Sequence, residues 1–196
     1  MKIDLKNPGH MLTNAYAISK ASPNDPMVAF QKSTGPGSTT GKVMNFIEAG
    51  KITSAAENPS ISHLVWARYA YDPDLKQAQQ VDFGHWLTDQ LFLVWLLSSK
   101  KRTRLSVEKL QDLAMLCVLD VKNKICGNRT PLTPSKICQH LGYKNADTAN
   151  WRRTIKPHWE AMGGILGNLD MQVTGSVKDV LLELRFGTEQ KYSAVC

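Results

Sequence analysis

The sequence predicts a mainly α-helical protein, a helical bundle followed by a C-terminal helix-turn-helix that a β-hairpin wings. Three observations carry that expectation. "LSVEKLQDLAMLCVLDVKNKI", Leu105 to Ile125, repeats its apolar residues at helical spacing; "FGHWLTDQLFLVWLLSS" is apolar nearly all round, as a central core helix is; and "TPSKICQHLGYKNADTANWRRTIKPHW" carries the punctuation of two short helices joined by a turn.

Residues 1 to 42 are rich in Pro, Gly, Ser, Thr and Asn with only short apolar clusters, and are read as a flexible N-terminal arm. Within them "GPGSTTGKV", Gly35 to Val43, has the outline of a phosphate-binding loop. Pro36 and Val43 occupy places where that loop needs glycine and a hydroxyl residue, and no apolar strand precedes it, so a linker is the better reading.

Residues 43 to 126 form the expected helical core region. A first helix runs from Lys42 to Ala56. The next begins at "NPSISHLVWARYAY", where Asn58 or Ser60 caps and Pro59 suits a first turn; Ile61, Leu64, Val65, Arg68 and Tyr69 share a face, and "DPD" ends the run at Asp72 to Asp74. In the helix after Leu105, Ser106 is the expected cap, Leu110, Leu113, Ala114, Cys117, Val118 and Val121 line one side, and lysines close the last turn.

Residues 127 to 196 form the third region. Thr133 caps a helix with Pro134 in its first position, Ile137, Cys138 and Leu141 give it an apolar edge, and Gly142 stops it. Asp147 then caps a second helix. On one side of it Thr148, Trp151, Ile155, Trp159 and Met162 recur at intervals of three and four, and on the other Ala149, Arg152, Arg153 and Lys156 do. Pro157 is expected to kink this helix and to end its outward-facing part near Lys156. Further on, "LDMQVT" and "VLLELRF" alternate apolar and polar residues and read as a β-hairpin around "GSVKD". A helix from Ser176 to Arg185 competes with it, because the same residues also suit helical spacing.

Charge narrows the function. The chain of 196 residues has a net charge of +7, and residues 101 to 156 hold twelve Lys and Arg against four acids, so the whole excess sits in that segment. A basic segment that coincides with a helix-turn-helix pattern points to double-stranded DNA. Arg152, Arg153 and Lys156 are the expected contacts on the second helix, where Arg reaches guanine edges or phosphate and Lys neutralises phosphate. Ala149 shares the face of those contacts, and Lys136, Lys144, Asn145 and Asn150 stand at the turn and the helix starts, where backbone phosphates are usually met. "KKRTR", Lys100 to Arg104, is a further basic run that suits DNA, RNA or a protein partner.

Other classes find less support. His63, His85, His140 and His158 lie in helical patterns without a paired nucleophile or carboxylate cluster, so no enzyme and no small-molecule substrate are expected. The four cysteines include no C-x-x-C pair. Cys126, Cys138, His140 and His158 fit no common structural zinc spacing, so no metal and no other cofactor are expected. The N-terminus "MKIDLKNPGHML" lacks an unbroken apolar region and no run is long enough to span a bilayer, so the expectation is a cytoplasmic protein without membrane contact.

"NWRRTIKPHWEAM" resembles the C-terminal part of the lambdoid phage late-gene antitermination proteins, the Q proteins, which carry a Trp, an Arg-Thr pair, a Lys-Pro pair and a following Ala in this register. "ARYAYDPD", Ala67 to Asp74, is similar to their central aromatic segment, and the chain length is comparable. By motif match Trp151, Arg152, Thr154, Lys156 and Pro157 correspond to the family segment. The zinc-finger cysteine pairs of some members are absent here, so the resemblance carries over no zinc. It implies a bacteriophage transcription regulator in the host cytoplasm. Such a protein binds DNA at a phage late promoter, engages paused bacterial RNA polymerase with its sigma factor, and suppresses pausing and termination. An arginine-bearing helix followed by two strands is also similar to the winged-helix half of plasmid and phage replication initiators, which is the alternative, together with a transcription repressor.

Overall fold

The computed structural model describes residues 5–20, 46–72, 78–97, 105–126, 131–143 and 150–193. Among these residues there are seven α-helices, one π-helical turn and no strand. They fall into two units: one is Met1–Asp74 together with Met171–Cys196, the other Leu75–Asp170.

The first unit begins inside the segment read as a flexible arm, and that reading fails for α1, Pro8–Lys20. Asn7 starts this helix by accepting the His10 N–H at 3.1 Å, and Pro8 takes the first position, where its missing N–H costs nothing. Met11, Leu12, Ala15 and Tyr16 are buried at intervals that make one face. The helix packs on α2, Phe46–Glu57, whose Ala49, Ile52 and Ala56 are fully buried. The loop-like "GPGSTTGKV" lies outside the described residues.

Helix α3, Ile61–Tyr71, starts at Ser60, whose hydroxyl accepts the His63 N–H, and ends at Asp72, so Pro59 precedes the cap and is not in the first turn. Its buried residues are Trp66, Ala67, Tyr69, Ala70 and Tyr71. The expected face is thereby corrected: Ile61 is 80% exposed, and Arg68 is spent on an ion pair with Glu57. Tyr71 lies against α1 so closely that a Cβ on Gly9 would come within 2.8 Å of its ring.

The second unit is built on α4, Ala78–Leu97, and α5, Val107–Cys126, which pack together. Phe83, Leu87 and Leu91 of α4 are fully buried. On α5 the predicted stripe is met by Leu110, Leu113, Ala114, Cys117 and Val118, all buried, and Ser106 caps as expected, accepting the Lys109 N–H at 3.4 Å. Gly84 permits the close approach of the two helices, since a Cβ there would sit 2.6 Å from Met115 Cγ. The short helix α6, Pro134–His140, follows.

One expectation for the C-terminal region is overturned. Residues 169–186 form no hairpin; they lie within α7, Lys156–Ser193, a helix of 38 residues that begins in the second unit and continues into the first. Leu166, Leu169, Val173, Val177 and Leu181 are buried at intervals of three and four, while Met171, which the strand alternation would bury, is 67% exposed. At Pro157, where a kink is expected, the helix continues. Its ring would crowd the Arg153 carbonyl in a regular helix. The backbone instead widens just ahead of it into a π turn, Trp151–Ile155, in which the Lys156 N–H bonds the Trp151 carbonyl, and the helix then runs on.

Candidate nucleic-acid interface

The sequence-predicted contacts that can be placed all lie in the unit Leu75–Asp170. Lys136 sits in the first turn of α6. Thr133 accepts its backbone N–H at 3.4 Å, Pro134 fills the first helical position, and the lysine is exposed. Ile137, Cys138 and Leu141 bury the other side of this short helix. Gly142, with φ +77°, then closes it in the left-handed conformation, its N–H on the Gln139 carbonyl and the Tyr143 N–H on the Cys138 carbonyl, both at 3.0 Å. Lys144, Asn145 and Ala149 lie outside the described residues, as do Asp147 and Thr148.

Asn150 is exposed and leads into the π turn. Arg152 and Arg153 are both exposed on this turn, and no ion pair to a described residue engages either. Lys156 is exposed as well, but its Nζ lies 3.4 Å from Glu160, so a nearby acid offsets part of its charge. Beneath them Ile155 and Met162 are fully buried. Trp151 and Trp159 are half-buried, with ring centroids 6.4 Å apart and planes tilted by 56°. The tryptophans thus flank the buried anchor, and Ile155 is the anchor itself. Burial lowers the pKa of His158, which keeps the imidazole neutral near pH 7 and adds no charge to the surface.

Helix α5 supports this region through groups that sequence reasoning missed. Asp120, 2% exposed, accepts the Leu132 backbone N–H at 2.7 Å and pairs with Lys124 at 2.7 Å. Lys109 stands over the Tyr143 ring, 4.2 Å from its centroid. The Cys117 thiol points to the Trp159 carbonyl at 4.0 Å, and burial pushes its pKa up to about 12, so it stays protonated. Only Asp120 had a signal in the sequence: it falls seven residues after Leu113 on the apolar face of an amphipathic helix, where an acid needs a partner. "KKRTR" lies outside the described residues. Among the described residues no three His, Cys, Asp or Glu side chains are placed to hold a metal ion, and no helix is long and apolar enough to cross a membrane.

Comparison with known proteins adds what geometry does not. Antitermination protein Q of Enterobacteria phage 82 is 26% identical over 126 residues, which is 64% of this chain and 50% of that protein, so the match spans about half the length of the relative. No solved structure matches the chain. The family described as phage antitermination protein Q matches residues 28–192, a span that takes in "ARYAYDPD", α5, α6 and the arginine-bearing π turn together. With a match over that much of its length, the chain belongs to the phage antitermination protein Q family.

Proposed function

We propose that this protein is a DNA-binding transcription antitermination factor of a bacteriophage. It binds at a phage late promoter in the host cytoplasm, engages bacterial RNA polymerase with its sigma factor, and suppresses pausing and termination. The observation that carries the antitermination role is membership of the Q family over residues 28–192. The DNA-binding part is supported by the excess charge of residues 101–156 and by two exposed guanidiniums, Arg152 and Arg153, on a firmly anchored helix start. In this reading α6 and the start of α7 act as a helix-turn-helix. Lys136 and Asn150 meet phosphate, Arg152 and Arg153 read base edges or phosphate, and Lys156 contributes charge. Lys144, Asn145 and Ala149 belong to the same surface by sequence. The protein works by binding and carries out no chemistry of its own. The replication-initiator alternative rested on a winging hairpin, and helical residues 169–186 remove that support.

The test is transcription in vitro with bacterial RNA polymerase on a phage late promoter followed by a terminator. Read-through that rises with the protein and is lost in an Arg152/Arg153/Lys156 triple Ala variant supports the reading. No rise with the wild-type protein rejects it, and a footprint without read-through reassigns the protein as a repressor.

A further inference from the structure

Helix α5 meets the proposed DNA-binding helices at three places. Asp120 holds the N–H of Leu132 at the entry to α6, Lys109 covers the ring of Tyr143 at its exit, and the Cys117 thiol reaches the Trp159 carbonyl of α7. Residue 120 pairs with 132 and residue 109 with 143, so the two pairings advance in opposite directions along the chain. The seven residues of α6 are therefore fastened at both ends to one antiparallel helix.

Asp120 is the odd member of this set. It is a buried carboxylate in the most basic stretch of the chain, and by Coulomb's law alone it opposes phosphate binding. Its two oxygens are committed, Oδ1 to the Leu132 N–H and Oδ2 to Lys124 Nζ, both at 2.7 Å. The first bond fixes the backbone one residue before the Thr133 cap, and with it the start of the helix that carries Lys136.

We propose that Asp120 is a positioning residue for DNA recognition: its bond to the Leu132 N–H sets where α6 begins relative to α5. This rests on the DNA-binding reading given above. Charge and position make opposite predictions. If Asp120 acts only through its charge, Asp120→Ala and Asp120→Asn both tighten binding to any duplex, because each raises the net charge by one. If it acts by position, Asp120→Ala weakens binding to the preferred sequence alone, and Asp120→Asn, whose carbonyl still accepts the Leu132 N–H, keeps it.

The experiment uses the full chain and two duplexes: one that the wild type enriches from a random-sequence library, and a scrambled duplex of the same length. Asp120→Ala is expected to bind the enriched duplex about tenfold more weakly and the scrambled duplex no more weakly than wild type, while Asp120→Asn stays within about threefold on the enriched duplex. Amide exchange at Leu132, read by NMR without DNA, is expected to be slow in wild type and Asp120→Asn and fast in Asp120→Ala. Should Asp120→Ala not fold, Leu132→Pro removes the same bond from its donor side and is expected to show the same selective loss. The proposal is overturned if both Asp120 variants tighten binding to both duplexes, or if Asp120→Ala loses amide protection at Leu132 but keeps its preference. If the wild type enriches no duplex, the DNA reading fails and the positioning role falls with it. Slow Leu132 exchange in that case assigns the failure to the reading and not to the bond.

Discussion

Arg68 grips Glu57 through two hydrogen bonds, Nε to Oε1 at 2.9 Å and Nη2 to Oε2 at 3.2 Å. The first of those carboxylate oxygens also accepts the Tyr16 hydroxyl at 2.9 Å, so one acid joins α1, α2 and α3. Arg68 lies in "ARYAYDPD", within the span that the antitermination protein Q family matches. Its residues Ala67, Tyr69, Ala70 and Tyr71 are buried in packing, and the arginine closes the edge.

Removing the shared acceptor harms more than removing the arginine. Glu57→Ala leaves the buried Tyr16 hydroxyl without its acceptor and is expected to cost about 1–3 kcal/mol. Arg68→Ala is expected to cost about 1 kcal/mol or less, because its side chain is half exposed to water. Urea denaturation of the two variants checks the order, and equal losses would refute it.

The same contact makes stability fall in alkali. Burial, then the Glu57 hydrogen bond and charge, lift the Tyr16 pKa well above its ordinary value of 10.0, with Arg68 only partly opposing. A raised folded-state pKa gives a contribution that is complete below the unfolded value near 10 and is lost as pH rises toward the folded value, because only the unfolded chain ionises. Tyr16→Phe is expected to be less stable than wild type at about pH 9 but to lose less between about pH 9 and about pH 11. Parallel declines would show that other groups govern the alkaline limb.

Gly84→Ala tests the approach of α4 to α5. The new Cβ would meet Met115 at its Cγ, 2.6 Å away, and lie 3.5 Å from its backbone nitrogen, so the side chain has to change rotamer. A loss of about 1–3 kcal/mol is expected from overpacking. Adding Met115→Ala should return part of it, and a double variant that melts no higher than Gly84→Ala would place the strain elsewhere.

How legible these features were depends on how local their cause is. The stripe of α5 runs long enough for its period to be unmistakable, and the ends of α6 are written in Thr133, Pro134 and Gly142, so both could be read from sequence. Residues 169–186 could not, because Val180, Leu182 and Leu184 satisfy a period of two and of 3.6 equally over so short a span; only the burial of Val173, Val177 and Leu181 decides. Helix α1 was hidden by averaging composition over the first 42 residues, although Asn7, Pro8 and the Met11, Leu12, Ala15, Tyr16 spacing signal it. The Asp120 and Lys109 contacts depend on the path of the chain between helices, which no short-range pattern encodes.

For the helix that carries the arginines, buried Ile155 should matter more to stability than half-buried Trp151. Ile155→Ala is expected to cost about 2–5 kcal/mol as a full core truncation, and Trp151→Ala less. Thermal melting of both variants decides; a larger loss from Trp151→Ala would make its contact with Trp159 the main anchor.

Exposed side chains on the same turn should behave in the opposite way. Arg152→Ala and Arg153→Ala are expected to leave the melting curve in place and to weaken binding to a preferred duplex by about 1–3 kcal/mol each if they read bases. Lys156→Ala should weaken all duplexes alike, and Glu160→Gln, which frees Lys156 of its partner, should strengthen them. Wild-type affinity in the triple Ala variant would remove these residues from the interface.

Pro157 links the two sets. It cannot donate to the Arg153 carbonyl, and the π turn ahead of it is how the backbone avoids that carbonyl while staying helical. With Pro157→Ala an N–H returns, and a regular α-helical turn becomes the lower-energy path over residues 151–157. The helix should therefore be as stable as before or more so, since proline in a helix interior is unfavourable by about 3 kcal/mol against alanine before the widening relieves it. Closing the turn rotates everything ahead of it relative to Ile155 and Met162, so the near-UV circular dichroism of the Trp151 and Trp159 pair should change while far-UV helicity holds. Arg152 and Arg153 sit in that turn, and DNA affinity should fall although no contacting group has been removed. An altered tryptophan signal with unchanged affinity would show that the arginines reach DNA independently of the π geometry; an unchanged signal would show that something other than proline holds the turn open.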